Sequence, residues 1–290
     1  MHPAPSLILF TVLSGMGFGL LFWLGTGMRE AEGLAALVLF GLGYALAGAG
    51  LVASAFHLGH PERALLAFTQ WRSSWLSREA VLAAATLAMM APHAASSAFA
   101  ATPLPFFGWI GAALALATIL ATAMIYTQIR AVPRWHHWST PPVFLLAALA
   151  GGALLAAQQT LAFFLTLALA AAILAHWVIG DRQFAASMST TGTATGLGNL
   201  GSVRLLEPPH SGRNYLLREM VHVVGRKHAR KLRFLSLALV GVLPAALLLL
   251  SGSYISVSFA VLCHATGLLA QRWLFFAEAE HVVGLYYGKR

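Results

Sequence analysis

The sequence predicts an all-α membrane protein, a bundle of eight transmembrane helices with one long cytoplasmic loop between helices six and seven. Of its 290 residues, 59% are apolar and only 9% are charged, a composition typical of polytopic membrane proteins. A helix rises about 1.5 Å per residue, so crossing a hydrocarbon core of roughly 30 Å takes about 20 apolar residues. Eight stretches of the chain have about this length and polarity.

The predicted helices follow one another with short connections except for one. They occupy residues 5–28, 34–57, 77–99, 104–129, 141–159, 161–180, 234–252 and 254–277. Only Gln158, Gln159 and Thr160 divide the fifth helix from the sixth. The first stretch has no cationic segment before it and is too long for a signal peptide, so we expect it to be retained.

The basic residues lie almost entirely on one side of these eight predicted helices. Seventeen of the 18 Lys and Arg residues, Arg272 included, fall at the even-numbered connections and the C-terminal end, and only Arg29 falls on the other side. Basic loops are retained in the cytoplasm, which predicts that both termini are cytoplasmic. The expected location is the inner membrane of a bacterium. Topology alone accounts for this basic face, although a docking surface for a partner is a second interpretation, and no nucleic-acid partner is expected.

We expect a single integral membrane domain, 1–290, with a cytoplasmic basic loop at 181–233. Its first part, 189–201, is rich in Gly and Thr and predicts no stable helix. Gly196, Gly198 and Gly201 match a dinucleotide-binding pattern, but without a strand before it or a βαβ unit around it the match is attributed to chance. Its last part, 215–233, has the pattern of a basic amphipathic helix. We interpret the loop as a docking surface whose residues are Gly196, Gly198, Gly201, Arg226, Lys227, Arg230 and Lys231.

The chemically richest stretch lies between helices two and three. His57 ends one helix, Glu79 opens the next, and Gly59, Pro61 and Arg63 lie between them. Gly and Pro break a helix, and non-helical backbone at membrane depth is tolerated where protein or a cavity satisfies it. An ordinary helix-end His and an interfacial Arg remain the alternative interpretation of His57 and Arg63.

Together these groups suit the head of a quinone. A neutral His can hydrogen bond to a carbonyl or accept a proton from a hydroxyl, and a carboxylate can pass that proton to water. Quinol oxidation releases two protons with two electrons, so its site needs such acceptors in an apolar pocket. The residues at this helix break therefore indicate a candidate quinone site.

The single cysteine, Cys263, limits the redox chemistry of the chain. Iron–sulfur clusters, zinc clusters and disulfides each need several thiolates or a Cys/His set. We therefore expect no metal site in this chain, and any electrons that it handles must come from another protein.

The sequence around this helix break resembles the corresponding region of the membrane anchor of dimethyl sulfoxide reductase-type molybdoenzymes, and the resemblance extends over most of the chain. The resemblance rests on His57-Leu58-Gly59 with Pro61 and Arg63, on Ser77 and Glu79, on Pro133, Trp135, Trp138 and Thr140-Pro141, and on Arg272. The Gly/Thr-rich loop, the run 226–233 and the segments 275–278 and 286–288 are more similar to anchors of quinone-linked sulfite dehydrogenases.

This resemblance implies a complex of three subunits that serves anaerobic or sulfur respiration. The partners would be a molybdopterin catalytic subunit and an iron–sulfur subunit with four clusters. The anchor itself would be non-catalytic and would exchange electrons with menaquinone or ubiquinone, binding no metal or haem of its own. The positions that match the family's quinol site are His57, Arg63 and Glu79.

Two other functions remain open from the sequence. A cytochrome-type anchor would bind haem b between histidines, and His93, His176 and His264 lie in or near predicted helices. A secondary transporter would place ionisable or unwound sites near the middle of the membrane. The glycines of the first two helices instead favour close helix packing: Gly15, Gly17, Gly19, Gly41, Gly43, Gly48 and Gly50.

Overall fold

A computed structural model describes residues 4–56, 60–100, 102–207 and 223–287, apart from the side chains at 61 and 223–227. Within these ranges the chain is helical and contains no strand. The α-helices are α1 Pro5–Gly25, α2 Gly33–Ala55, α3 Trp75–Ala95, α4 Pro105–Thr127, α5 Thr140–Leu155, α6 Gln159–Ala186, α7 Thr191–Thr195, α8 Val223–Leu237, α9 Leu243–Leu250 and α10 Tyr254–Ala277. Short 3₁₀ or π turns extend or connect them at Pro61–Phe68, Ser96–Ala100, Gly198–Leu200, Ala238–Val242 and Val282–Tyr287.

Seven helices in the described ranges are long and apolar enough to cross a membrane. They include α3 extended to Ala100 and the continuous segment His228–Leu250, which joins α8 and α9. The eighth apolar helix, α5, has 16 residues and a length of about 24 Å. The fold is therefore that of a multi-pass membrane protein, with helix bounds close to those expected from the sequence.

The first helix lies at the centre of the bundle. It packs against α2, α4, α5 and α10, and most of its residues are buried. A helix that is apolar on all sides can be covered all round by other helices. Because α1 contacts these four helices and also touches α3, their relative positions are fixed through it.

Glycines let the backbone of α1 approach its neighbours closely. A Cβ atom at Gly19 would lie 1.9 Å from the carbonyl oxygen of Ala148, and one at Gly152 would lie 2.1 Å from the carbonyl carbon of Gly19. The predicted packing role of Gly19 is thus confirmed. For Gly41 and Gly48 the predicted packing role is wrong, because a Cβ atom at either position would meet nothing within 4 Å.

A tight turn separates α5 from α6. Ala157 adopts a left-handed conformation with φ of 54°, and the N–H of Gln158 donates to the carbonyl of Ala153 at 2.9 Å. This turn reverses the chain between two antiparallel helices. The division that the sequence predicts here is confirmed.

The long connection between α6 and α8 contains more helix than the sequence suggests. The sixth helix continues to Ala186, beyond the expected end at 180. The expectation of no helix at 189–201 is wrong over α7, because Thr190 caps this short helix and exchanges hydrogen bonds with Thr193. Part of the predicted amphipathic helix is confirmed by α8, while residues 208–222 lie outside the described ranges.

Candidate functional site

The connection between α2 and α3 is a folded turn that contains Arg63 of the three predicted quinone-site residues, and Glu79 follows it on α3. His57 lies outside the described residues. Arg63 lies on the 3₁₀ helix Pro61–Phe68 with an exposed side chain, and its N–H donates to the carbonyl of His60 at 3.0 Å. Beside it, His60 Nδ1 lies 2.8 Å from Glu62 Oε1 at the surface. This turn presents polar groups at the end of the bundle.

Ser77 and Arg78 attach this turn to the start of α3. The buried Ser77 hydroxyl donates to the carbonyl of Ala67 and accepts from the N–H of Gln70 at 3.1 Å. Arg78 donates to the carbonyl of Trp71 at 3.0 Å. Its guanidinium also lies 4.4 Å from the centre of the Trp75 ring. Arg78 therefore has a structural role in shaping the turn, rather than that of a free interfacial cation.

Glu79 points into the bundle, where only 4% of its surface is exposed. Its carboxylate accepts a hydrogen bond from the hydroxyl of Thr122 on α4. Further along this interface, Thr86 of α3 and Thr118 of α4 share a hydrogen bond of 3.1 Å. The contact between α3 and α4 is thus polar at two successive levels. No hydrogen bond or ion pair joins Glu79 to Arg63 in the described part of the chain.

A second buried charge in the bundle is Arg272 on α10. Only 2% of Arg272 is exposed, so this cation, which the sequence places late in the eighth helix and counts with the basic residues of one side, is buried inside the bundle. The guanidinium lies 3.7 Å from the centre of the Phe144 ring, a cation–π contact. Its Nε and Nη1 groups have no hydrogen-bond partner in the described structure. Tyr126, buried on α4, interacts electrostatically with both Glu79 and Arg272.

A small cavity separates Arg272 from the α3–α4 interface. Its volume of about 10 Å³ is near that needed for one water molecule. Hydroxyl groups and the guanidinium form its polar wall, contributed by Thr11, Ser14, Thr122 and Arg272. Buried cationic, hydroxyl and carboxylate groups thus follow each other inside the bundle, from Arg272 through Thr122 to Glu79.

Sequence reasoning missed Thr122 and gave Arg272 no role at this site. An Arg inside an otherwise apolar stretch is a usable signal, because charges in membrane spans are costly and usually functional. A Thr in a helix gives no such signal, since most Thr hydroxyls bond to their own backbone.

A direct ion network lies at the same end of the bundle as the basic connections. Arg233 on α8 binds Asp181 of α6 with two hydrogen bonds of 2.6 and 2.7 Å. Its Nε donates to Glu278 at 2.7 Å, and Arg134 donates to Asp181 at 2.7 Å. Burial raises the pKa of Glu278, and the Arg233 guanidinium opposes this shift. These contacts join α6, α8, the α4–α5 connection and the segment after α10.

The predicted docking residues lie partly in the described structure. Gly196 and Gly201 have positive φ angles of 71° and 146°, and Gly198 lies against Gly192. The hydroxyl of Tyr286 donates to the carbonyl of Ala194 at 2.5 Å, which ties the C-terminal segment to this strip.

The basic docking residues of α8 are only partly described. Arg230 and Lys231 have exposed side chains, while the side chains of Arg226 and Lys227 lie outside the described set.

The histidines of the haem alternative occupy separate places. His176 Nδ1 lies 2.8 Å from the hydroxyl of Ser139, and His264 Nδ1 donates to the carbonyl of Val240 at 2.8 Å. His93 lies at the opposite end of the bundle from Asp181 and His176. There it lines a cavity of about 220 Å³ together with Arg29, Glu30, Glu32, Phe40 and Trp109.

These features define a multi-pass helical membrane protein with a buried carboxylate beside a polar turn. Residues 1–179 match the family model of the DMSO reductase anchor subunit (DmsC). The chain belongs to this family and is a membrane anchor subunit. It is also 34% identical to a sulfite dehydrogenase subunit of Allochromatium vinosum, with 99% of each chain covered. No solved structure matches the chain.

Proposed function

We propose that this anchor binds a quinone and passes electrons between the quinone pool and an iron–sulfur partner subunit. The observation that carries the proposal is the buried Glu79, hydrogen-bonded to Thr122 and placed directly after the polar turn of residues 60–74. A carboxylate is costly inside a membrane bundle, and such groups usually serve proton transfer or ligand binding. A quinone is a ligand that requires both.

The three site residues have distinct proposed roles. Glu79 exchanges the proton of the quinol hydroxyl with the cytoplasmic side, and His57 hydrogen bonds to a quinone oxygen. Arg63, exposed on the turn, supports the reduced head group electrostatically. The quinone, menaquinone or ubiquinone, is an exchangeable substrate, and we propose that the chain binds no haem or metal.

The proposed partners follow from the proteins that this chain is similar to. One is a sulfite dehydrogenase subunit, and the family is named for DMSO reductase. We infer a molybdopterin catalytic subunit and a four-cluster iron–sulfur subunit, with the iron–sulfur subunit docked on Gly196, Gly198, Gly201, Arg226, Lys227, Arg230 and Lys231. The exposed Leu200 and Leu206 beside the Gly-rich strip support this, because an apolar group at 85% or 90% exposure suits burial by a partner.

The proposed topology has eight crossings in the bacterial inner membrane, with both termini and the loop 181–233 in the cytoplasm. Short α5 crosses as well, because its buried face lies against α1 and α6 and both of its ends are turns. In a Cys263→Ala background, a cysteine at Glu30 should react with an impermeant thiol reagent in intact cells. One at Ser202 should react only after the cells are opened. The reverse pattern contradicts the topology and moves the quinone site to the outer face.

Turnover measurements on the assembled complex test the quinone site. Glu79→Gln keeps the shape of the side chain but removes the titratable proton, so the complex should lose most of its quinone-linked turnover. His57→Ala removes a contact to the head group and should weaken quinone binding by about 1–3 kcal/mol. The exposed Glu62→Gln is the matched control and should behave as the unmodified complex.

A soluble dye that takes electrons directly from the partner subunits separates two causes of a loss. Dye-linked turnover should be retained in both variants, because the partners are intact. If quinone-linked turnover also survives in both, His57 and Glu79 are structural. If dye-linked turnover disappears, assembly has failed and the site assignment has no support.

Docking is tested by exchanging residues 192–201 for a Ser-rich linker of equal length. The soluble subunits should then separate from the membranes, because the left-handed Gly196 and Gly201 that shape the strip are lost. Partner subunits that remain bound with unchanged coupling would assign the strip another role.

A further inference from the structure

Arg272 is a buried cation that the quinone proposal does not use. Two of its nitrogen groups, Nε and Nη1, find no partner in the described structure, and the whole residue is 2% exposed. Buried N–H groups without partners are costly, and a charged group in a membrane bundle is more costly still. Arg272 therefore needs a compensating group within its surroundings.

The cavity beside Arg272 offers one route to such a group. It has room for about one water molecule, and the guanidinium and the Thr122 hydroxyl both line it. Thr11 and Ser14 also line it and donate their own hydroxyl protons to backbone carbonyls, which leaves their oxygens free to accept. A water there would have one donor and several acceptors around it, as buried waters require.

The hydrogen-bond directions along this route agree with one another. The Thr122 hydroxyl donates to Glu79, so its oxygen can accept from a water. That water can in turn accept from the guanidinium of Arg272. Every donor then points from the cation towards the carboxylate, an arrangement in which successive hydrogen bonds strengthen one another.

We propose that Arg272 is the positioning residue for Glu79, acting through a water in this cavity and the hydroxyl of Thr122. This series of hydrogen bonds holds Glu79 in its ionised form, in which its carboxylate can accept a proton. Tyr126 on α4 faces both charges, and His176 on α6 also interacts electrostatically with Arg272. The proposal deepens the quinone proposal and rests on it for its biological role, but the coupling of the two charges can be tested alone.

Infrared difference spectra of the full-length chain in lipid membranes at neutral pH give a direct test. Each form is compared with its counterpart that also carries Glu79→Gln, which isolates the carboxyl group of Glu79. The unmodified chain should show no carbonyl stretch of a protonated carboxyl. Arg272→Gln should gain this band, because Glu79 loses its cation and becomes neutral. Arg272→Lys, which keeps the charge, should show less of it.

Two threonine variants test the route rather than the charge. Thr122→Val should gain the carboxyl band because the hydroxyl link is removed. Thr118→Val is the matched control, on the same helix and equally buried but bonded to Thr86, and it should show no band.

Thermal unfolding of the same variants checks the coupling independently. Glu79→Gln leaves Arg272 uncompensated, so adding Arg272→Met should raise the midpoint again, by about 3 °C or more.

The proposal is overturned if the Arg272→Gln spectrum equals that of the unmodified chain, or if the unmodified chain already shows the band. Destabilisation that simply adds in the double variant would also overturn it. Normal quinone turnover in Glu79→Gln would instead refute the quinone proposal and leave the coupling of Arg272 and Glu79 intact.

Discussion

Two clusters of charged residues in this anchor differ in how their charges are compensated. In the interior, Arg272 lines a small cavity and Glu79 is hydrogen-bonded to Thr122 on the wall of that cavity, while no direct ion pair joins the two charges in the described structure. At the basic end, Arg233 binds Asp181 and Glu278 directly at 2.6 to 2.7 Å. The cluster at the basic end is closed by short direct contacts, while the interior cluster contains no direct ion pair in the described structure.

The difference indicates different tasks. Direct ion pairs between separate helices fix their relative positions, and the network at the basic end joins four segments in this way. A carboxylate bonded only to one hydroxyl can still gain or lose a proton, because no fixed cation occupies its oxygens. We therefore assign a structural role to the network and a proton-handling role to the interior cluster.

The largest loss of stability is expected from breaking the ion network at the basic end. Asp181→Asn leaves the buried Arg134 without its counter-charge. Losing one partner of a buried ion pair costs several kcal/mol, and the partial exposure of Asp181 should reduce this to about 2 kcal/mol. Chemical unfolding of the purified chain in detergent measures the loss.

Glu62→Gln provides the control for that experiment. Its ion pair with His60 is exposed on both sides, so its removal should change the free energy of unfolding by less than about 0.5 kcal/mol. Equal effects of Asp181→Asn and Glu62→Gln would show that the network does not hold the helices together.

A smaller effect is expected where the basic end reaches the Gly-rich strip. Tyr286→Phe removes the hydrogen bond to the carbonyl of Ala194 and should cost up to about 1 kcal/mol locally. Amide hydrogen exchange across 191–201 should become faster. The control Tyr254→Phe, at an 87% exposed tyrosine, should leave exchange there unchanged. Unchanged exchange in Tyr286→Phe would show that the strip holds its shape without the C-terminal segment.

The smallest effect is a pH dependence outside the membrane spans. Burial lowers the pKa of His281, whose Nδ1 accepts a hydrogen bond from the N–H of Val283 at 3.1 Å. The stability that the neutral His281 contributes is therefore fully present above its pKa in the unfolded chain, about 6.5. It is lost as the pH falls towards the lower pKa of His281 in the folded chain. Protection of amides in 282–287 should decrease below about pH 6.5, and His281→Gln should remove that dependence. If the pH dependence of amide protection persists in His281→Gln, another group causes it.

The helices were predictable because hydrophobic length is a local property of the chain. The fourth helix was expected at 104–129 and lies at Pro105–Thr127, and the last was expected and found at 254–277. The folding of 60–74 against α3 was not predictable, since it depends on long-range bonds of Ser77 and Arg78 to backbone carbonyls. Such bonds leave no periodic pattern in a sequence.

The interior cluster was predictable only in part. Glu79 was identifiable because a carboxylate at the start of an apolar helix is unusual. Arg272 was placed late in the eighth helix and counted with the basic residues of one side, but sequence position alone does not reveal that the residue is buried. Its relation to Thr122 depends on how α4 and α10 meet α1, which no single helix encodes.

Photo-crosslinking with an azido-quinone in membranes that contain the whole complex locates the bound quinone directly. We expect labelled peptides in residues 60–79 and in the part of α4 from 118 to 126, with labelling suppressed by excess unmodified quinone. Labelling confined to residues 25–32 and 103–109, which border the cavity at the opposite end, would contradict it.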